Sequence, residues 1–247
     1  MQENGINSKN GGERYFFEGP HSRLSEFIFT LKVLRDFIRG FRAFHFLGPC
    51  ATIFGSARYN EGHEYYEQAC KMGAALAEMG FTVMTGGGPG LMEAANKGAK
   101  QVGGRSVGCN IKLPREQKAN PYLDKWVIID YFFVRKVLLS KYSYAFIAMP
   151  GGYGTLDEFF EAVTLIQTKK SKHFPVVLFG KHFHAELQKH FEHMLEEGTI
   201  SIEDLKLFIV TDSVEEAAEH IRKHAVEKYK LKDRVTIKPS WFFIEKK

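Results

Sequence analysis

Short apolar runs alternate with longer amphipathic stretches from Cys50 to about residue 225. Such runs are typical of strands buried on both faces, whereas apolar positions at steps of three and four residues indicate helices. The predicted strands are CATIFGSAR, FTVMTGGG, RSVGCNI, KWVIID, YAFIAMP, FPVVLFG and KLFIV. Helical stretches separate most of them, for example HEYYEQACKMGAALAEMG, which Gly80 closes. The pattern predicts an α/β fold: a single domain with a doubly wound parallel sheet covered by helices on both faces.

Different patterns flank this α/β core, which we place at residues 47–225. Residues 1–20 are polar and glycine-rich, as in a flexible tail, and residues 226–247 form a basic extension that ends in SWFFIEKK. The extension is either a solvated tail or an arm that reaches another subunit. Residues 21–46 predict an amphipathic helix. Its apolar stripe comprises Leu24, Phe27, Ile28, Leu31, Leu34, Phe37, Ile38 and Phe41. We expect a helix packed on the domain or on another subunit, in preference to a basic membrane-surface helix.

Composition narrows the class of protein. The chain has 247 residues, 44% of them hydrophobic, and a formal net charge of +5, which fits a small anionic ligand better than nucleic acid. Its three cysteines, Cys50, Cys70 and Cys109, have no metal-binding spacing and are odd in number, so we expect a reducing cytoplasm. The polar start does not resemble a signal peptide, and we expect no membrane association.

Loops of small residues follow three of the predicted strands: FGSAR at 54–58, TGGGPGLMEA at 85–94 and MPGGYGTLDE at 149–158. Glycine lets a backbone approach an anion closely, and a following helix adds partial positive charge from its N-terminus. The loops therefore predict a phosphate cradle, although each alone could be a tight strand-to-helix turn. They match neither the GxGxxG pattern of dinucleotide-binding folds nor the GxxxxGK[ST] pattern of P-loop enzymes.

Two charged residues stand beside these loops. Thr155 and Glu158 have the spacing of a capping box, with Thr155 as N-cap and Glu158 at the third helical position. Alternatively, the Glu158 carboxylate could stabilise positive charge on a sugar held by its phosphate and activate water for N-glycosidic cleavage. Arg135 is either a solvated helix residue or a guanidinium that holds this acid or binds substrate oxygens.

The segments GGGPGLMEAANKGA and MPGGYGTLDE, with an Arg-Lys pair upstream of the second, resemble the motifs GGGxxGLMxxxxxGA and PGGxGTxxE of the LOG (Lonely Guy) family. That family comprises the cytokinin riboside 5′-monophosphate phosphoribohydrolases, many of them once labelled lysine decarboxylases. The resemblance covers about residues 50–225. It implies a Rossmann-like fold and hydrolysis of a nucleoside 5′-monophosphate to free base and ribose 5-phosphate, with no metal and no cofactor. It also implies a homo-oligomer.

The resemblance also implies roles for individual residues. Arg135 and Glu158 would be the catalytic pair. The phosphate would contact Gly87, Gly88, Gly151, Gly152, Gly154 and Thr155. Three further residues expected at the site are Ser56 of the first loop, Lys136 of the Arg-Lys pair and Glu93, which follows GLM.

Several alternatives stay open at this point. Before the second motif the chain has YFFVRK where many plant members have MHxRK, so AMP or another purine nucleotide is as good a candidate substrate as a cytokinin nucleotide. Phe132 and Phe133 of this segment could shape a base pocket or pack in the core. A non-enzymatic nucleotide or cofactor carrier of the same fold is the competing class. A decarboxylase would need a lysine that forms a Schiff base with pyridoxal phosphate, and Lys97, Lys136 and Lys141 lie in helical contexts without an evident partner for its pyridine nitrogen.

Overall fold

A computed structural model describes residue 19 and residues 22–113, 118–172 and 174–227. The predicted tail and C-terminal extension lie almost entirely outside these residues. The strands are β1 (Cys50–Phe54), β2 (Thr82–Thr85), β3 (Ser106–Ile111), β4 (Lys125–Ile129), β5 (Ser143–Ala148), β6 (Val176–Phe179) and β7 (Ile209–Thr211). The α-helices are α1 (Arg23–Phe44), α2 (Glu64–Glu78), α3 (Leu91–Gln101), α4 (Phe132–Tyr142), α5 (Tyr153–Gln167), α6 (Ala185–Glu196) and α7 (Val214–Ile221).

The seven strands form one sheet in the order β4-β3-β2-β1-β5-β6-β7, and every strand pair is parallel. The predicted α/β class and parallel sheet are confirmed. Every residue of β1, β2 and β6 is buried, because helices cover both faces of these strands. Alternate residues of β1 serve the two faces: Cys50 and Phe54 pack on one side, and Ala51 and Ile53 on the other.

The helices divide between the two faces of the sheet. Residues of α1, α4, α5 and α6 share one apolar core with the sheet, and residues of α2, α3 and α7 share the other. Among the described residues, no helix has both the length and the apolar character needed to cross a membrane.

The apolar stripe predicted for α1 packs on the core only in part, through Phe37 and Phe41. Six of its residues are exposed: Leu24, Phe27, Ile28, Leu31, Leu34 and Ile38. The helix instead buries Asp36, Gly40 and Phe44, with Phe29 and Val33 packed against the core. Periodicity did not identify this face because one of its buried residues is charged and another has no side chain. The expected homo-oligomer stays a prediction.

Candidate functional site

The three glycine loops converge at the carboxyl edge of the sheet. They follow β1, β2 and β5, which are neighbours, and the chain reverses its direction of winding between β1 and β5. In doubly wound sheets the crevice outside such a reversal is where ligands bind. The fold thus brings together loops that the sequence separates by up to a hundred residues.

Ser56 of the first loop joins the other two through its backbone. Its N–H donates to the carbonyl of Pro150 at 3.0 Å, and its carbonyl accepts from the N–H of Leu91 at 3.0 Å. The Ser56 hydroxyl accepts from the N–H of Arg58 within the same loop. Gly90, which has φ +72°, must lack a side chain, since a Cβ there would lie 2.4 Å from the Ser56 carbonyl oxygen. The structure thus locates Ser56 between the two long loops.

One buried asparagine, Asn120, holds the second loop by hydrogen bonds, and another, Asn110, packs against it. Gly87 has φ +72°, and a Cβ there would lie 1.9 Å from Oδ1 of Asn110. The N–H of Gly87 donates to the Thr85 hydroxyl, and its carbonyl accepts from the N–H of Asn120 at 3.0 Å. The Asn120 side chain donates to the carbonyl of Gly88 at 3.1 Å. These hydrogen bonds hold the carbonyls of Gly87 and Gly88 toward Asn120. Neither asparagine could be identified from the sequence, because nothing in their spacing connects them to the glycines.

The third loop corrects the predicted capping box. Helix α5 begins at Tyr153 with Gly152 as its N-cap, and no side chain caps it. Thr155 is therefore the third helical residue, and its side chain lies against Gly151. The helix begins three residues earlier than the capping box required because Gly152 takes the extended N-cap conformation. Within the described part of the chain, no group accepts a hydrogen bond from the amides of Gly151, Gly152, Tyr153 or Gly154. Such unpaired amides at a helix N-terminus favour an anion.

Glu158 lies one turn further into α5 and is buried, with 3% of its surface exposed. Its Oε2 atom has no hydrogen-bond partner among the described residues. Burial raises the pKa of Glu158 from 4.5 to about 7, against the opposing effect of the nearby Arg135 and Lys136 charges. A carboxyl group with this pKa can change its protonation state near neutral pH, as a general acid or base must.

Arg135 lies in the first turns of α4 beside Glu158 and the second loop. Its Nε donates to the carbonyl of Cys109 at 2.9 Å, and its guanidinium lies against Gly86, where a Cβ would be 2.4 Å from Nη2. The ion pairs of the described residues do not include one between Arg135 and Glu158. Arg135 still lowers the pKa of Glu158, and it acts from a fixed position on the β3 carbonyl.

Lys136 and Glu93 contact other partners. Lys136 forms ion pairs with two carboxylates of α5 that flank Glu158, Asp157 at 3.0 Å and Glu161 at 2.7 Å. The Glu93 carboxylate accepts from the Tyr66 hydroxyl of α2 at 3.2 Å. Lys136 thus contributes charge next to Glu158, while Glu93 is held on the α2 side of the sheet. Phe132 and Phe133 are partly exposed at the start of α4.

The lysines considered for Schiff-base chemistry are engaged elsewhere. Lys97 pairs with Glu61, Lys136 with its two α5 carboxylates, and the Lys141 ammonium lies 5.7 Å above the Phe41 ring. The residues present therefore do not fit a pyridoxal phosphate site. Among the described residues, no group of three or more His, Cys, Asp or Glu side chains is arranged to hold a metal ion.

Comparison with known proteins links the same segment to one family. A family model described as "Possible lysine decarboxylase" matches residues 92–221. The chain is 33% identical over 159 residues to the cytokinin riboside 5′-monophosphate phosphoribohydrolase of Mycobacterium tuberculosis. The aligned region covers 62% of this chain and 83% of the relative. The chain is 31% identical over 177 residues to the protein of the same name from Rhodococcoides fascians, covering 69% of this chain and 88% of the relative.

A solved structure with a similar fold belongs to a protein named for a different role. The molybdenum cofactor carrier protein of Chlamydomonas reinhardtii superposes with a TM-score of 0.52 at 25% identity, covering 72% of this chain and 98% of the carrier. The fold is therefore found both in proteins named as hydrolases and in one named as a carrier.

Proposed function

This chain belongs to the LOG family, and we propose that it hydrolyses the N-glycosidic bond of a nucleoside 5′-monophosphate to free base and ribose 5-phosphate. Its relatives named as phosphoribohydrolases support a hydrolase that acts on nucleotides. We propose either a cytokinin riboside 5′-monophosphate or AMP as the substrate. The proposal includes the catalytic pair Arg135 and Glu158.

One observation carries this proposal: the buried carboxyl group of Glu158, partly unpartnered among the described residues, lies one helical turn from four amides that find no acceptor there. Burying an ionisable group without a full set of partners lowers stability, so folding alone does not account for it. A bound nucleoside monophosphate would supply hydrogen-bond partners for both the amides and the carboxyl group. Its phosphate oxygens accept from the amides, and a sugar hydroxyl or a water donates to Oε2.

The proposed reaction follows from these positions. The phosphate docks on the amides of Gly151, Gly152 and Gly154 and on the second loop, so that its binding energy positions the ribose. As the bond from C1′ to the base nitrogen breaks, positive charge develops on the sugar. The ionised Glu158 stabilises this charge and accepts a proton from the water that bonds to C1′. The base leaves with its electron pair and takes a proton from solvent. Arg135 contributes positive charge that helps keep Glu158 ionised before the reaction.

The test is release of base from a panel of nucleoside 5′-monophosphates, AMP and a cytokinin riboside 5′-monophosphate among them, measured by chromatography. We expect Glu158→Gln to lower kcat by about 10²-fold or more, as loss of a general base does. Asp157→Asn is the matched control: it removes a carboxylate from the same helix that is more than half exposed, and most activity should remain. Adenosine, which has no phosphate, should be a far poorer substrate than AMP. Full activity of Glu158→Gln would refute the proposal.

The competing function is that of a carrier. The Chlamydomonas carrier protein has a similar fold, which gives this alternative a specific basis for a test. A carrier would be stabilised against unfolding by its ligand and would release no base from it. It would also bind as well after Glu158→Gln, because the proposed phosphate contacts are backbone amides. Thermal unfolding with AMP, run beside the release assay, distinguishes the two functions.

A further inference from the structure

Helix α1 buries a carboxylate in the middle of its packed face. Asp36 has no exposed surface, although its position lies within the helix and against the core. A buried carboxylate requires partners, and removing them is strongly destabilising. The contacts of Asp36 therefore indicate what α1 holds in place.

Those contacts lead to the start of α4. The Asp36 carboxylate accepts from the backbone N–H of Asp130 at 2.6 Å, a bond shortened by the negative charge. Arg39 pairs with Asp36 at 3.2 Å, and Arg35 pairs with Asp130 at 2.7 Å. Two side chains of α1, Asp36 and Arg35, thus fasten the helix to Asp130, which lies two positions before α4, while Arg39 pairs with Asp36 from within α1.

Two apolar contacts extend this attachment along α4. Phe29 of α1 packs edge-on against Tyr131, the N-cap residue of α4, with ring centroids 5.3 Å apart. Gly40 lies so close to Leu138 that a Cβ at Gly40 would be 2.3 Å from a Leu138 methyl carbon. The position of α4 therefore depends on α1 at its first turn and at its centre.

Arg135 receives its position from this helix. Its backbone N–H donates to the carbonyl of Tyr131 at 3.1 Å, so it lies one turn beyond the residue that Phe29 contacts. Its side chain donates a hydrogen bond to the backbone carbonyl of Cys109. Lys136, the other cation near Glu158, is on the same helix. A shift of α4 would therefore move both cations relative to the acid.

We propose that Asp36 is a positioning residue for the catalytic pair, acting through Asp130 and α4 to set the place of Arg135. The proposal rests on the proposed function, and α1 lies outside the segment 92–221 that the family model matches. It assigns to the N-terminal helix a role in the reaction in addition to its packing.

The test compares Asp36→Asn with the wild-type protein. We expect kcat to fall about tenfold or more, because small displacements of catalytic groups lower rates steeply, while KM changes less than about threefold since the phosphate loops are untouched. The acidic limb of the pH–rate profile should also move to higher pH.

The charges facing Glu158 are Arg135 and Lys136 from α4 and Asp157 and Glu161 from α5. Withdrawal of the two cations on α4 leaves the acid harder to ionise. The Cys109 thiol of β3 also adjoins Glu158, and burial raises its pKa to about 12, so it stays neutral in this range.

A variant that is only less stable would contain less active protein, but the acidic limb of its pH–rate profile would not move. Val214→Ala, in α7 on the opposite face of the sheet, provides the control for lost stability. Phe29→Ala is a second variant in case Asp36→Asn does not fold, and it should move the limb in the same direction. An unmoved limb in the variants that fold, or an equal movement in Val214→Ala, would overturn the proposal.

A readout without substrate separates this inference from the proposed function. The pH dependence of unfolding reports the pKa of Glu158 in the folded protein. In Asp36→Asn or Phe29→Ala the fall in stability that accompanies ionisation of Glu158 should extend to higher pH than in the wild type. If wild-type protein releases no base but this extension is seen, the proposed function fails and the positional coupling stands. If base is released and no extension is seen, the coupling fails alone.

Discussion

Ionisation of Glu158 should make the folded protein less stable. Burial raises the pKa of this carboxyl group from 4.5 to about 7, so the folded chain binds its proton more tightly than the unfolded chain does. Because the raised pKa belongs to the folded state, the stability contribution is fully present below about pH 4.5 and is lost as the pH rises to 7. Above pH 7 the acid is ionised in both states, and the loss is complete.

The substitution Glu158→Gln removes this titration while keeping the size of the side chain. A pKa rise from 4.5 to about 7 corresponds to about 3 kcal/mol in the free energy of unfolding. The variant should therefore gain about 3 kcal/mol relative to wild type at pH 8 and less than about 1 kcal/mol at pH 5. For a chain of this size that is roughly 6–12 °C in Tm at pH 8. The same change should abolish most base release.

Denaturant unfolding of both proteins between pH 4.5 and 8.5 measures the effect. The informative quantity is the change with pH in the stability difference between variant and wild type, because the fixed cost of burying an amide cancels from it. Asp157→Asn, at an exposed neighbouring acid, should show little of this dependence. A stability difference that stays constant over the range would refute the assignment of a raised pKa to Glu158.

Three further substitutions test the surroundings of the acid. Lys136→Met leaves two carboxylates unneutralised beside Glu158, so the acidic limb of the pH–rate profile should move to higher pH. Arg135→Gln should move it the same way and also lower kcat, which steady-state rates across pH will show. Gly87→Ala forces a side chain into a φ of +72° and onto a buried asparagine oxygen, and should cost about 1–3 kcal/mol of stability and raise KM. Gly152→Ala, whose Cβ would meet open space, is its control and should keep the fold by thermal unfolding.

Most of the fold could be predicted from the sequence because its signals are local. The strands of this sheet are buried on both sides, so each reads as an uninterrupted apolar run, and glycine marks several strand ends. The order of the strands is not a local property. That β5 pairs with β1 rather than with β4 follows from packing of the helices on both faces, and this pairing alone brings the loops at 86–90 and 149–152 together.

The parts of the site that escaped prediction depend on distant partners. Asn120 contributes two hydrogen bonds to the second loop from more than thirty residues away, and nothing in its own neighbourhood indicates this. The ion pairs of Lys136 join α4 to α5, and the Arg-Lys pair in the sequence does not indicate these two carboxylate partners. The packed face of α1 was missed for a related reason, since Asp36 is buried only because Asp130 and two arginines meet it.

The start of α5 determines what Glu158 can do. A helix beginning after Thr155 would have placed Glu158 at the third position, where a carboxylate bonds to a free amide and the helix dipole lowers its pKa. Because the helix starts at Tyr153, the acid instead lies beyond the first turn, where that effect has faded, and inside the core. The same shift leaves the amides of residues 151–154 without an acceptor among the described residues. One early helix start thus accounts for both the proposed anion site and the raised pKa of Glu158.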